Sequence, residues 1–391
     1  YTLFFVGVFD MNQYNEWGID TLNRGLFQSY KGTYFPVQYL IFSICSQVSL
    51  FFDIDYFIVF KTANLLFDIG NFVVILSILK KTGAGNVFAL IYWIHPCFLN
   101  MFSLGYIDFQ FAFFVLVSVF FMLNPGIRNL IFSSLFLGVA FLMKPQVQII
   151  ILALFVYSMF MSFKYKRFDH WVLFLFPLLF YGLFSFYFWF HLPGEHRLTM
   201  TYLNVSNVMP CLNAQFLNIW FVVAYLLKSR DAHIFSISDQ IGFLGVELKY
   251  LAAFAILLLI IVFVYRLVNL KIRPSRGMNY LFLISFASFI VPALMTSAHE
   301  NHFFLSSVLL VILSGMIRSV TVKISVHIIL LLQFVNLYGY YGFGPEKLNI
   351  QFYNYDIAFY LSIVSFLISV LLIVHFLKLQ EMKGSKPLIG A

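Results

Sequence analysis

A chain of 391 residues that is 62% hydrophobic and only 10% charged, with mean hydropathy +0.90, lacks the polar side chains that soluble domains need for their surface. Its apolar runs are continuous rather than alternating, which excludes a membrane β-barrel and predicts an all-α polytopic membrane protein. The net charge is +8, and Cys45, Cys97 and Cys211 form no CxxC pair, so zinc, disulfide-framework and nucleic-acid readings have no support.

In chain order, residues 1–9 are apolar but make only about 13 Å of helix, as expected of the end of a first span that begins upstream. Strong apolar stretches follow at 57–79, 86–103, 109–123, 129–143, 147–163, 169–190, 241–265, 279–297, 303–317, 324–340 and 357–377. Two more, 36–52 and 215–227, are short or polar enough to be spans or interfacial helices. Charge decides between these. With both interfacial, 15 of the 24 Lys and Arg fall in the loops of one side, with only Asp169 and Glu381 among the acids. That asymmetry marks the cytoplasmic face. The expectation is one transmembrane domain, 1–391, of about twelve spans plus interfacial helices, with external segments 10–56, 191–240 and 341–356.

Ionisable groups near the apolar layer are costly and mark sites or pairings. Five clusters fall on the external side. Asp10, Tyr14 and Trp17 share one helical face at i, i+4, i+7, as a general base beside a ring-shaped substrate would and as an interfacial aromatic anchor with a capping Asp also would. Asp108 closes Gly105-Tyr106-Ile107-Asp108, as a site residue or a helix cap. Lys144, in Lys144-Pro145-Gln146, defies the positive-inside trend and suits a lipid phosphate or a headgroup anchor. His299 and His302, at i, i+3 around Glu300, suit hydrogen bonding to an anionic leaving group or a structural pair; they do not make an HExxH zinc site. Lys228 and Arg230 are again basic on the wrong side, after Asn213, Asn218 and Trp220, and Asn204-Val205-Ser206 is a sequon.

In order and shared side, these clusters resemble the GT-C superfamily of membrane glycosyltransferases that use polyprenyl- or dolichyl-phosphate sugars. The likeness covers about residues 1–310. It runs from Asp10…Tyr14…Trp17 through Tyr34-Phe35-Pro36, Lys61…Asn64…Asp68 and His95-Pro96…Asn100…Asp108. It continues with Lys144-Pro145-Gln146, Asn213…Asn218…Trp220 and Ala298-His299-Glu300-Asn301-His302. In the last motif Asn301 stands where the family has Arg, and His302 where it has Tyr. The resemblance implies inverting sugar transfer to an acceptor hydroxyl on a glycan, lipid or protein. Asp10 would be the base, and Tyr14, Trp17, Asp108, Lys144, Gln146, His299, Glu300, His302, Lys228 and Arg230 would bind substrate. No metal or other cofactor is expected. The setting would be a bacterial plasma membrane with an external site, or the endoplasmic reticulum in a eukaryote. A lipid-linked oligosaccharide flippase or transporter, and a glycan polymerase or ligase, are the alternatives.

Overall fold

The computed structural model describes residues 2–4, 6–7, 10–32, 34–191, 210–227, 237–243, 245–269, 276–342 and 355–378. They are almost entirely helical. Helices α1 (Asp10–Arg24), α2 (Leu26–Ser29) and α3 (Pro36–Phe52) form a layer at one end of the bundle. Then come α4 (Tyr56–Thr82), α5 (Val87–Ile94), α6 (Pro96–Leu104), α7 (Asp108–Met122), α8 (Ile127–Phe141), α9 (Val147–Tyr165) and α10 (Leu175–His191). The second half holds α11 (Ile219–Leu227), the two-residue hairpin strands β1 (Gly242–Phe243) and β2 (Val246–Glu247), α12 (Leu248–Val268) and α13 (Arg276–Leu294). Helices α14 (Phe304–Met316), α15 (Val320–Tyr341) and α16 (Tyr355–Leu377) complete it. The protein is thus all-α with many apolar helices, a multi-pass membrane protein.

Helix lengths modify the expected span count. Among the described residues seven helices are long and apolar enough to cross a membrane, or eight if α5 and α6, bent by 44°, make one span. The apolar stretches at 109–123, 129–143 and 303–317 become helices of 15, 15 and 13 residues, about 20–22 Å long against a hydrocarbon core of about 30 Å. Among the described residues the full-length helices therefore number seven or eight. Apolar content alone sets the hydropathy count, whereas the chain ends these helices early. Gly105, at φ +78°, closes α6 in the left-handed conformation, and Gly126 in extended conformation opens α8. Of the two ambiguous stretches, 36–52 is a continuous helix with Pro36 in its first turn. The other is helical only from Ile219 to Leu227. At the expected first span, Thr2–Phe4 is one 3-10 turn.

Close approaches lock the layer to the bundle. A β-carbon on Gly18 of α1 would lie 2.2 Å from Ser46 Oγ and 2.6 Å from the Phe42 carbonyl of α3, so only glycine lets the helices lie this close. At the opposite end the basic loops make their own contacts. Lys81 donates to the Phe120 carbonyl at 3.2 Å, and Arg276 pairs with Asp169.

Candidate functional site

The polar stripe of α4 explains how the site's central turn is held. Lys61, Asn64 and Asn71 recur on one helical face, and each side chain donates to a backbone carbonyl at or beside the junction of α6 and α7. The bonds are Lys61 Nζ to Ser103 O at 2.5 Å, Asn64 Nδ2 to Tyr106 O at 2.9 Å and Asn71 Nδ2 to Phe109 O at 3.0 Å. Gln110 extends the network, donating to Asn64 Oδ1 at 2.7 Å and accepting from Gln38 of α3 at 2.9 Å. Backbone carbonyls without partners are not tolerated in an apolar layer, and where α6 ends Lys61 and Asn64 supply partners to Ser103 O and Tyr106 O. Asp68, lower on the same helix, is held by the Tyr92 hydroxyl and by the Trp93 indole at 3.1 Å.

The pinned turn presents Asp108 as the first residue of α7. Its Oδ1 accepts from Lys144 Nζ at 2.7 Å, and the two side chains are 0% and 4% exposed. Lys144 also lies over the Phe111 ring, 5.2 Å from its centroid. Such a pair is held together by mutual neutralisation, because neither charge tolerates burial alone. The turn carrying Lys144 is bound by the approach to α3: Phe35 N–H donates to Met143 O at 3.4 Å and Val37 N–H to Leu142 O at 3.0 Å. The ion pair therefore sits directly beneath the layer of α1 and α3.

Asp10 begins α1, half-buried, with its negative charge at the positive end of the helix dipole. The Tyr14 hydroxyl donates to its Oδ2 at 3.5 Å and meets the Tyr34 hydroxyl at 3.3 Å. Burial pushes both phenols above their usual range, and the charges of Asp10 and Asp108 push the same way, so both stay protonated donors. Tyr14 is 1% exposed and Trp17 3%. Tyr14 stacks on Phe42 at 4.7 Å and Trp17 on Tyr39 at 5.5 Å, so both rings are committed to the protein's own aromatic cluster.

His299 and His302 open the turn before α14. Their ring centroids are 5.4 Å apart, and His302 Nδ1 accepts the backbone N–H of His299 at 3.2 Å. Burial holds His302 well below the ordinary histidine range, with His299 and Lys144 adding to the effect. His302 is therefore neutral, with its proton on Nε2. It can donate a hydrogen bond there but carries no charge to offset a phosphate, which narrows the role expected of it.

No family model, curated protein or solved structure matches this chain. The functional reading therefore rests on the site itself.

Of the residues singled out in the sequence, Asp10, Tyr14, Asp108, Lys144 and His302 form a chain of neighbours: Tyr14 feels the charges of Asp10 and Asp108, Asp108 pairs with Lys144, and Lys144 acts on His302. His299 joins them beside His302. Gln146 follows Lys144 on the same turn, and its amide nitrogen is buried with no hydrogen-bond partner among the described residues. Glu300 lies in the turn Glu300–Phe303, with its side chain outside the described residues. Lys228, Arg230 and the sequon Asn204-Val205-Ser206 also lie outside them.

The sequence places Tyr34 only within Tyr34-Phe35-Pro36, not as a site residue, and does not single out Gln215 or Asp239. Tyr34 completes the hydrogen-bond chain to Asp10. Gln215, at φ +72°, bridges to His299, accepts Asn336 on its carbonyl at 2.8 Å and accepts Tyr341 on its Oε1 at 2.7 Å. Asp239, 1% exposed, accepts Thr296 Oγ1 at 3.2 Å and Ser297 Oγ at 3.3 Å. Gln215 and Ser297, the latter at φ +56°, are non-glycine residues in left-handed conformation on either side of the histidine turn. Such strain gathers at working sites. Nothing in the spacing of these residues announces it, because the partners lie about 60 to more than 120 residues apart.

Proposed function

We propose that this chain is an inverting glycosyltransferase that moves a sugar from a polyprenyl-phosphate donor to an acceptor hydroxyl at the external membrane face. The observation that carries the reading is a half-buried carboxylate, Asp10, linked through Tyr14 to a buried Asp108–Lys144 pair that lies near the imidazole of His302. In this reading Asp10 takes the acceptor's proton as its oxygen attacks the anomeric carbon. The carbon–phosphate oxygen bond breaks, and the lipid phosphate leaves with the electron pair. His302 Nε2–H and the unpartnered Gln146 amide would donate to the phosphate oxygens as charge develops. The Asp108–Lys144 pair would set the floor of the site. The matching topology is the GT-C-like one of twelve crossings. Among the described residues the seven long helices, the bent pair and three shorter helices would supply eleven of these crossings.

Transport is disfavoured because the buried charges that would line a path are engaged in holding the fold. Lys61 is bound to Ser103 O, and Asp68 to Tyr92 and Trp93. The test is incubation of the purified protein with a panel of polyprenyl-phosphate sugars. One donor is expected to support transfer, and Asp10→Asn to abolish it while the protein remains folded. Full activity in Asp10→Asn would refute the assignment of the base.

A further inference from the structure

Tyr14 and Trp17 sit where a sugar platform would be, yet their rings are spent on Phe42 and Tyr39 and are almost wholly buried. What Tyr14 offers the site is its hydroxyl, and that hydroxyl is the middle of a chain. The order is Tyr34 OH, Tyr14 OH, Asp10 Oδ2, with oxygen separations of 3.3 and 3.5 Å. Packing alone does not require this. Phe would fill either position, and a buried hydroxyl is costly unless it is bonded. The separations are long, as is usual for catalytic hydrogen bonds in a resting site, which tighten when substrate binds.

We infer that Tyr14 and Tyr34 are positioning residues that orient Asp10 and favour its ionised form through this chain of hydroxyl donors. The inference rests on the reading of Asp10 as the base. A donor bonded to a carboxylate stabilises the anion, and a second donor behind the first polarises it further. The charged groups on Asp10's own helix and the neighbouring elements include Asp108, Lys144, Lys61, Glu16 and Asp20. Asp108, at the start of α7, has its charge offset by Lys144 on the turn after α8. Lys61 of α4 is committed to the Ser103 carbonyl, and Glu16 and Asp20 lie further along α1.

The experiment follows the Asp10 carboxyl directly, by infrared titration of the carboxylic-acid band that Asp10→Asn removes, alongside the pH profile of kcat/KM for sugar transfer. Tyr14→Phe is expected to raise the titration midpoint by about one pH unit and Tyr34→Phe by about half a unit. The acidic limb of the activity profile should move by the same amounts. Tyr34, at the half-exposed end of the chain, keeps the test valid if the deeper Tyr14→Phe fails to fold. A Tyr34→Phe midpoint equal to wild type overturns the inference. If the midpoint shifts but no donor supports transfer, the hydrogen-bond chain stands and the glycosyltransferase reading falls. If transfer occurs and neither limb nor midpoint moves, the reverse holds.

Discussion

The Asp108–Lys144 pair makes the most demanding prediction, because its strength follows from burial rather than from contact. At 2.7 Å and an effective dielectric of about 20, the direct attraction is about 6 kcal/mol. Most of that offsets the desolvation of two side chains that are 0% and 4% exposed. Lys144→Met leaves the Asp108 carboxylate buried without its cation and should cost about 3–5 kcal/mol. Asp108→Asn strands the ammonium and should cost a similar amount. The double variant removes both charges and should be more stable than the sum of the singles by about 2 kcal/mol. The assay is reversible unfolding of the four proteins in mixed micelles, read as a double-mutant cycle. A Lys144→Met loss under about 1 kcal/mol, or strict additivity, would show that the pair is not a mutually dependent buried unit.

Three further outcomes follow from individual positions. Gly18→Ala forces a β-carbon into Ser46 and Phe42 and should destabilise by about 1–3 kcal/mol. Gly182→Ala, in α10 with open space around it, should stabilise by about 0.5–1 kcal/mol, and thermal unfolding of the two variants separates them. His302 has its pKa depressed on folding, so the folded state resists a proton that the unfolded chain takes up near pH 6.5. Wild-type stability should therefore fall as pH drops below about 6.5. His302→Asn, which keeps an acceptor for the His299 N–H, should flatten that decline in melting temperature against pH. An unchanged slope would place the effect elsewhere.

Much of the architecture was legible in the sequence because apolar content is a local property. Most strong apolar stretches became single helices within a few residues of their expected ends, as at 57–79 and Tyr56–Thr82, while 86–103 became two helices and 241–265 opens with a short hairpin. What hydropathy does not contain is where a helix stops. Gly105 ends α6 and Gly126 opens α8, and neither position is marked by hydropathy. The site was partly legible for a related reason. A carboxylate or lysine in an apolar context stands out by type, so Asp10, Asp108 and Lys144 could be picked without knowing their neighbours. Their pairing could not, since Lys144 meets Asp108 across 36 residues and a helical hairpin. Aromatic spacing was ambiguous in another way. Tyr14 and Trp17 do share a face, but that face is turned into the protein's own rings, and spacing does not distinguish a lining residue from a filling one.

The stripe of donors on α4 also has a consequence for how the chain is made. Lys61 and Asn64 precede, in order of synthesis, the carbonyls they bind at Ser103 and Tyr106, where α6 breaks off. A growing chain that enters a bilayer from its N-terminus has these donors in place before the interrupted segment arrives. The broken helix thus meets its partners on entry and need not wait in lipid with bare peptide groups. Reversing the order, with the interruption ahead of its donors, would expose those groups for as long as translation took to reach them. Arrangement along the gene therefore acts here as a chaperone would, shielding a non-helical turn at the moment it is most costly.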